Sequence, residues 1–248
     1  MHARLSSFVR RSLLVLSAWV AFSATASTGH SEEARSPDSG AEIEFTASIW
    51  ADNWFAFYVN GELVGEDSTP VTEIRSFNSD TFTFRAAYPF TLSVVTRDYI
   101  ENDSGLEYIG SFFGLFPVSD SFTFFQQIGD GGFIAQVTEK ESGRVVATTS
   151  RDWRGLVVHR APLNPECEKS TQPLADCEFY AVDAPDGWKT DSYDDAGWVK
   201  ATEYTAEEIG ARFGYNDIDW VPSASLIWTD DIKADNTILW RHRVSAPD

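Results

Sequence analysis

Cysteine is scarce in this chain of 248 residues, which holds only Cys167 and Cys177. Two cysteines exclude the disulfide-dense scaffolds of small secreted domains. A metal site on them is disfavoured, because no histidine and no second cysteine pair sits near them in sequence. Basic charge is also short, with 19 Lys and Arg against 38 Asp and Glu, a net charge of −19. A field of that sign repels phosphate backbones, so nucleic acid is not an expected partner. Histidine is rare, and neither a His-Glu-x-x-His zinc motif nor a Gly-x-Ser-x-Gly nucleophile elbow is present. Gly129-Asp130-Gly131-Gly132 is followed by Phe133 and not by a Lys-Ser/Thr pair, so it does not read as a phosphate-cradling loop. It reads as a β-turn. Helical periodicity is scarce throughout, and there is no internal repeat.

What is present begins with an export signal. Arg4, Arg10 and Arg11 precede the ten-residue apolar run Leu13–Phe22, and Ala24-Thr25-Ala26 supplies a small-residue cleavage pattern. The run is too short to cross a bilayer, which takes roughly 20 residues as a helix. Residues 1–26 are therefore expected to be a cleaved signal peptide. Cleavage leaves sixteen basic residues against 38 acids, a charge of −22. No later stretch is apolar enough to span a membrane as a helix, so a secreted or periplasmic location is expected. Residues 27–41 are polar and turn-rich and read as a flexible tether. Residues 42–246 remain for one domain with a real core. In an oxidising compartment Cys167 and Cys177 are expected to pair. The small loop they close contributes on the order of 2–3 kcal/mol in the chain-entropy account.

That domain is dense in short β-type runs. Ile43, Phe45, Ala47 and Ile49 alternate with polar residues. The aromatic run Trp54–Val59 meets Asn60-Gly61, a strong hairpin signal, before Glu62–Gly65. Further strands are expected at Thr81–Arg85, Phe90–Arg97, Ser121–Gln127, Phe133–Glu139, Arg144–Thr148, Leu156–Arg160, Ser225–Trp228 and Thr237–Val244. Thr205 and Glu208 have the spacing of a capping box, which predicts a short helix over Thr205–Arg212. Asp191–Trp198 is read as one more helical turn. The expected fold is all-β: a jelly-roll-like β-sandwich with short helices in long loops.

Several segments resemble galactose-binding-like jelly rolls, the β-sandwich family found as accessory domains of glycoside hydrolases and as free modules. Ala51–Gly65 is similar to that family's strand, Asn-Gly turn and strand. Trp188–Ala201, with Asp194-Asp195-Ala196-Gly197-Trp198 at its centre, resembles its Asp-Asp-x-x-Trp segment. Asp235–Arg241 resembles its closing strand. The resemblance covers residues 44–244 and implies fold. It implies ligand binding only as a habit of the family, because fold does not fix function.

A sugar site needs an exposed aromatic face for the C–H face of the ring, with carboxylates and amides for its hydroxyls. The richest such stretch is Arg97–Tyr108, directly after an expected strand. It offers Asp98, Tyr99, Glu101, Asp103 and Glu107 as ligand contacts. Trp220, in a loop before Val221-Pro222, and Trp153, beside a strand, are candidate platforms, although Trp50, Trp54 and Trp153 read first as core. No cofactor is required. Calcium is compatible with the acids of this stretch, whose spacing does not follow the EF-hand pattern. The apolar loop Phe112–Phe116 reads as a cover for one end of the core or as a contact for a protein partner. The expected function is a non-catalytic extracytoplasmic module for carbohydrate or another extracellular ligand. One alternative is a structural or protein-interaction component of the envelope or matrix. The other is a carboxylate-dependent glycoside hydrolase, whose two acids need only stand about 5–10 Å apart.

Overall fold

The computed structural model describes residues 40–70, 77–98, 103–109, 125–170 and 172–247. The expected signal peptide, all but the end of the expected tether, Tyr99, Glu101 and the Phe112–Phe116 loop lie outside these residues. In chain order the strands are β1 (Ile43–Asp52), β2 (Trp54–Val59), β3 (Glu62–Glu66), β4 (Ser79–Ala86), β5 (Phe90–Arg97), β6 (Leu106–Ile109), β7 (Phe125–Ile128), β8 (Gly132–Glu139), β9 (Val145–Thr148), β10 (Arg154–Arg160), β11 (Tyr180–Ala181), β12 (Val199–Lys200), β13 (Thr202–Tyr204), β14 (Leu226–Trp228) and β15 (Asp235–Val244).

Two antiparallel sheets carry the fold. The first runs β13-β14-β8-β1-β4, with β9 also on β8. The second runs β11-β10-β15-β5-β2-β3, with β12 also on β10. Period-two alternation decides what fills the space between them. Phe45, Ala47 and Ile49 of β1, Phe90, Leu92 and Val94 of β5, and Ile238 and Trp240 of β15 join one buried cluster. It also takes Phe55, Phe57, Phe133 and Trp153. The β2–β3 hairpin turns at Asn60-Gly61, both at positive φ (51° and 94°), as a two-residue loop of that type requires. Asn60 then accepts the Thr91 backbone N–H through its side-chain oxygen at 2.8 Å, fixing the hairpin to β5.

Each sheet has an outer face that is partly covered. On the second sheet the segment 188–198 lies over β15 and β10, with Trp188 and Trp198 packed against Leu239 and Val158. This segment forms turns and no helix, contrary to the expected helical turn at Asp191–Trp198. On the first sheet, residues 205–224 lie over Trp50, Ile134 and Leu226. The helix there, Ala206–Ile209, is shorter than expected. Thr205 and Glu208 close both halves of the capping box, and Gly210, at φ 72°, ends it in the left-handed conformation.

One further expectation changes. Gly129–Gly132 is not a hairpin turn: β7 pairs with β6, and β8 pairs with β1 in the first sheet. Its glycines answer to close approach. A Cβ on Gly129 would come within 2.2 Å of the Asp98 carboxylate, and one on Gly131 within 2.5 Å of the Trp228 ring. The Cys167–Cys177 disulfide forms as expected. It packs with Leu106 of β6 and Ile128 of β7, so it ties the excursion after β10 to the β6–β7 ribbon.

Candidate functional site

The second sheet ends in a polar rim. Here β5 stops, β2 and β15 begin and β10 finishes. The register aligns Trp54, Arg97, Thr237 and His159 in one row across four strands, and Ala181 of β11 continues it. Residues paired across antiparallel strands share a face. Phe55, Thr96 and Ile238, one position along, are fully buried between the sheets. The Trp54 row therefore lies on the outer face, beyond the cover of residues 188–198. Trp54 is half-buried, and the Arg97 guanidinium sits 5.2 Å from its ring centroid. The Phe179 ring stacks on His159 at 5.7 Å and stays 48% exposed.

Behind the row the mouth of the sandwich is closed by buried polar groups. Asp98 is 2% exposed; its N–H donates to the Asn236 carbonyl at 2.8 Å, and the Asn236 amide donates back to the Asp98 carbonyl. Asn53 sits beside them. Its N–H donates to the Arg97 carbonyl and its side-chain amide to Asp52, while its side-chain oxygen is buried with no hydrogen-bond partner among the described residues. Asp235 is 1% exposed and accepts from Arg160 Nε at 2.5 Å and Thr229 Oγ1 at 2.6 Å. Paired in this way, the buried carboxylate is stable where it stands.

Asp103 completes the row from the side. It adopts φ 60°, and Gly105 at φ 64° presses so close to Ala161 that a Cβ would lie 2.1 Å from the Ala161 carbonyl oxygen. This turn holds Asp103 Oδ1 3.2 Å from His159 Nε2. Burial holds the His159 imidazole below its ordinary range; Asp103 and Asn236 oppose that shift and Arg97 adds to it. His159 is thus neutral at pH 7, and both of its ring nitrogens are buried, so it shapes the row and presents no hydrogen-bonding edge at its surface.

The expected site residues fare differently. Asp98 and Asp103 both reach the rim, Asp98 enclosed and Asp103 exposed. Glu107 lies on β6 opposite Gln127. Trp153 is 1% exposed, its ring stacked on His242 at 5.2 Å and set edge-on to Phe133, so neither face is open to a sugar. Trp220 is half-buried on the first sheet's cover and not on the second sheet that carries the rim. Its Nε1 donates to the Tyr215 carbonyl and its ring stacks on Tyr215. Trp54, Thr237 and His159 were absent from the expected set. Among the described residues no group of three His, Cys, Asp or Glu stands close enough to hold a metal ion. None of the helices there is long and apolar enough to cross a membrane.

His242 is the second histidine with a depressed pKa, again through burial, opposed by Asp152 and Asp195. For both histidines the unfolded chain protonates first as pH falls below about 6.5, so proton uptake favours unfolding. The unfolding free energy should drop between pH 7.5 and 5.5, before most carboxylates titrate. Denaturant titrations across that range should give a flatter profile for a His159→Gln/His242→Phe double variant. An equally steep profile would refute the assignment.

No known protein family, curated protein or solved structure matches the chain. What is established is a two-sheet, mostly β architecture with short helices in its loops.

Proposed function

We propose that the chain is a non-catalytic, extracytoplasmic binding module of the galactose-binding-like jelly-roll kind, which holds carbohydrate at the rim of its second sheet. One observation carries this: the outer-face row that sets a half-buried tryptophan beside a guanidinium and a hydroxyl, with an exposed carboxylate at its side. Trp54 offers a ring face to the C–H side of a pyranose. Arg97, Thr237 and Asp103 offer donors and acceptors to its hydroxyls. Asp98 and Asp103, from the acidic stretch after β5, adjoin this row, so calcium enters as a test condition for a bridging role.

The test is a glycan-array screen of the purified protein, with calcium and again with chelator, followed by titration of the best ligand. Trp54→Ala should weaken that ligand by about 2 kcal/mol, close to thirtyfold, as loss of an aromatic anchor does. Its melting temperature should change little, because Trp54 lies outside the buried core. Absence of glycan binding in both conditions, or full affinity in Trp54→Ala, would overturn the proposal.

A further inference from the structure

We propose that the free edge of β11 accepts an added β-strand from a basic, extended segment of a partner protein. β11 is the terminal strand of the second sheet. Tyr180 and Ala181 pair with Arg160 and His159, and the Val182 N–H donates to the Val158 carbonyl at 2.9 Å. The Glu178 carbonyl accepts the Leu163 N–H at 2.7 Å on the same side. Backbone groups alternate in direction along an antiparallel strand. Those of Phe179 and Ala181 therefore point away from β10, as a ladder without a partner strand among the described residues.

Natural edge strands are blunted by lysine, proline, bulges, a covering segment or short length, and β11 is short at two residues. This edge has neither lysine nor proline: residues 178–182 read Glu-Phe-Tyr-Ala-Val, and every residue from 178 to 184 is exposed. Phe179, Tyr180 and Val182 are 48%, 50% and 44% exposed. At the opposite end of the same sheet, β3 is bounded by Glu62 and Glu66 and is itself bulged at Val64. The β11 edge is also held in place. Leu163 and Glu178 are bonded, and the Asn164 side chain donates to the Asp176 carbonyl and accepts from the Glu178 N–H. The disulfide closes the same loop. A pre-ordered edge loses little entropy when a strand joins it.

Charge selects the occupant. Glu166, Glu168, Asp176, Glu178, Asp183 and Asp186 flank the edge along the chain, and Lys169 is the sole basic residue between 161 and 186. A second copy would bring acid against acid on chains of net charge −19. An extended segment alternating basic and apolar residues would match both the ladder and the field.

The test uses fluorescence anisotropy of a labelled octapeptide of alternating lysine and valine against the full chain. Two controls accompany it, one with glutamate for lysine and one with backbone N-methylation on both edges. The basic peptide should bind, weaken with added salt, and lose at least tenfold on N-methylation. Ala181→Pro, which removes an outward N–H, should lose at least tenfold with the circular dichroism spectrum intact. Where that variant does not fold, a Glu178→Lys/Asp183→Lys variant should show the same loss. No binding of the basic peptide, or binding indifferent to N-methylation and to these substitutions, would overturn the proposal. Sedimentation supplies a further outcome: a concentration-dependent dimer that the substitutions abolish would assign the edge to a second copy and overturn the basic partner.

Discussion

Replacing Arg241 by methionine should lower the unfolding free energy by about 3–5 kcal/mol, the range for breaking a buried charge network. Arg241 stands on the outer face of β15 and is only 3% exposed. Its Nε donates to Asp195 Oδ2 at 2.8 Å. One terminal nitrogen donates to the Trp188 and Thr190 carbonyls and the other to that of Tyr193, at 3.4 Å. One guanidinium thus satisfies three carbonyls and a carboxylate of a segment that has no sheet or helix of its own over residues 188–198. Methionine keeps the stem packing but leaves those acceptors under cover without donors. Lysine cannot fork, so Arg241→Lys should recover only part of the loss. Asp195→Asn should cost less, since Asp195 is more exposed and keeps its reach to Arg241 and Arg154. Urea unfolding of the three variants measures the ranking. A loss under 1 kcal/mol for Arg241→Met would show that the 188–198 cover is held by Trp188 and Trp198 alone.

The Asp-Asp-x-x-Trp segment also shows what a sequence can and cannot reveal. Its acids serve the packing of the segment: Asp195 meets Arg241, the Asp194 side chain accepts the Ala196 N–H, and Asp191 meets Thr91 and Arg243. Local signals were legible wherever a residue type answers to its own backbone. Asn60-Gly61 marked its hairpin, Thr205 and Glu208 their cap, and strict alternation gave the two faces of β15 before any partner strand was known. The rim was harder to see because it depends on pairing. Trp54 opens the run Trp-Phe-Ala-Phe-Tyr-Val, aromatic on both faces, and only its register with Arg97 and Thr96 assigns it outward. His159 follows an irregularity in register between Val157 and His159, so counting by twos along β10 does not give its face. Gly129 and Gly131 look like turn residues, and the side chains that require them, Asp98 and Trp228, lie far along the chain.

Trp240→Ala should cost about 3–5 kcal/mol, as large-to-small changes of buried aromatics do. Trp240 has no exposed surface. Its ring lies 6.4 Å from Phe133 of the facing sheet and 6.2 Å from Trp228, and its Nε1 donates to Thr96 Oγ1 at 2.9 Å. Gly155 on the neighbouring strand makes room for it: a Cβ there would fall 2.7 Å from the ring. Truncation therefore opens a void between the sheets and leaves the Thr96 hydroxyl without that donor. Trp240→Phe should lose less, because most of the ring volume stays. Gly155→Ala should destabilise the wild-type chain, yet cost much less in the Trp240→Ala background, where the added methyl meets space. That double-mutant cycle isolates the contact from general core weakening. Purely additive losses would sink the packing account. The consequence reaches the rim, because β15 carries Asn236 and Thr237 at its start and Trp240 one turn of the pleat further on. A core that no longer fixes β15 also loosens the row that Trp54, Arg97 and His159 share with Thr237. Glycan affinity measured on Trp240→Phe, which still folds, should therefore fall even though residue 240 lies between the sheets and the proposed ligand on their outer face.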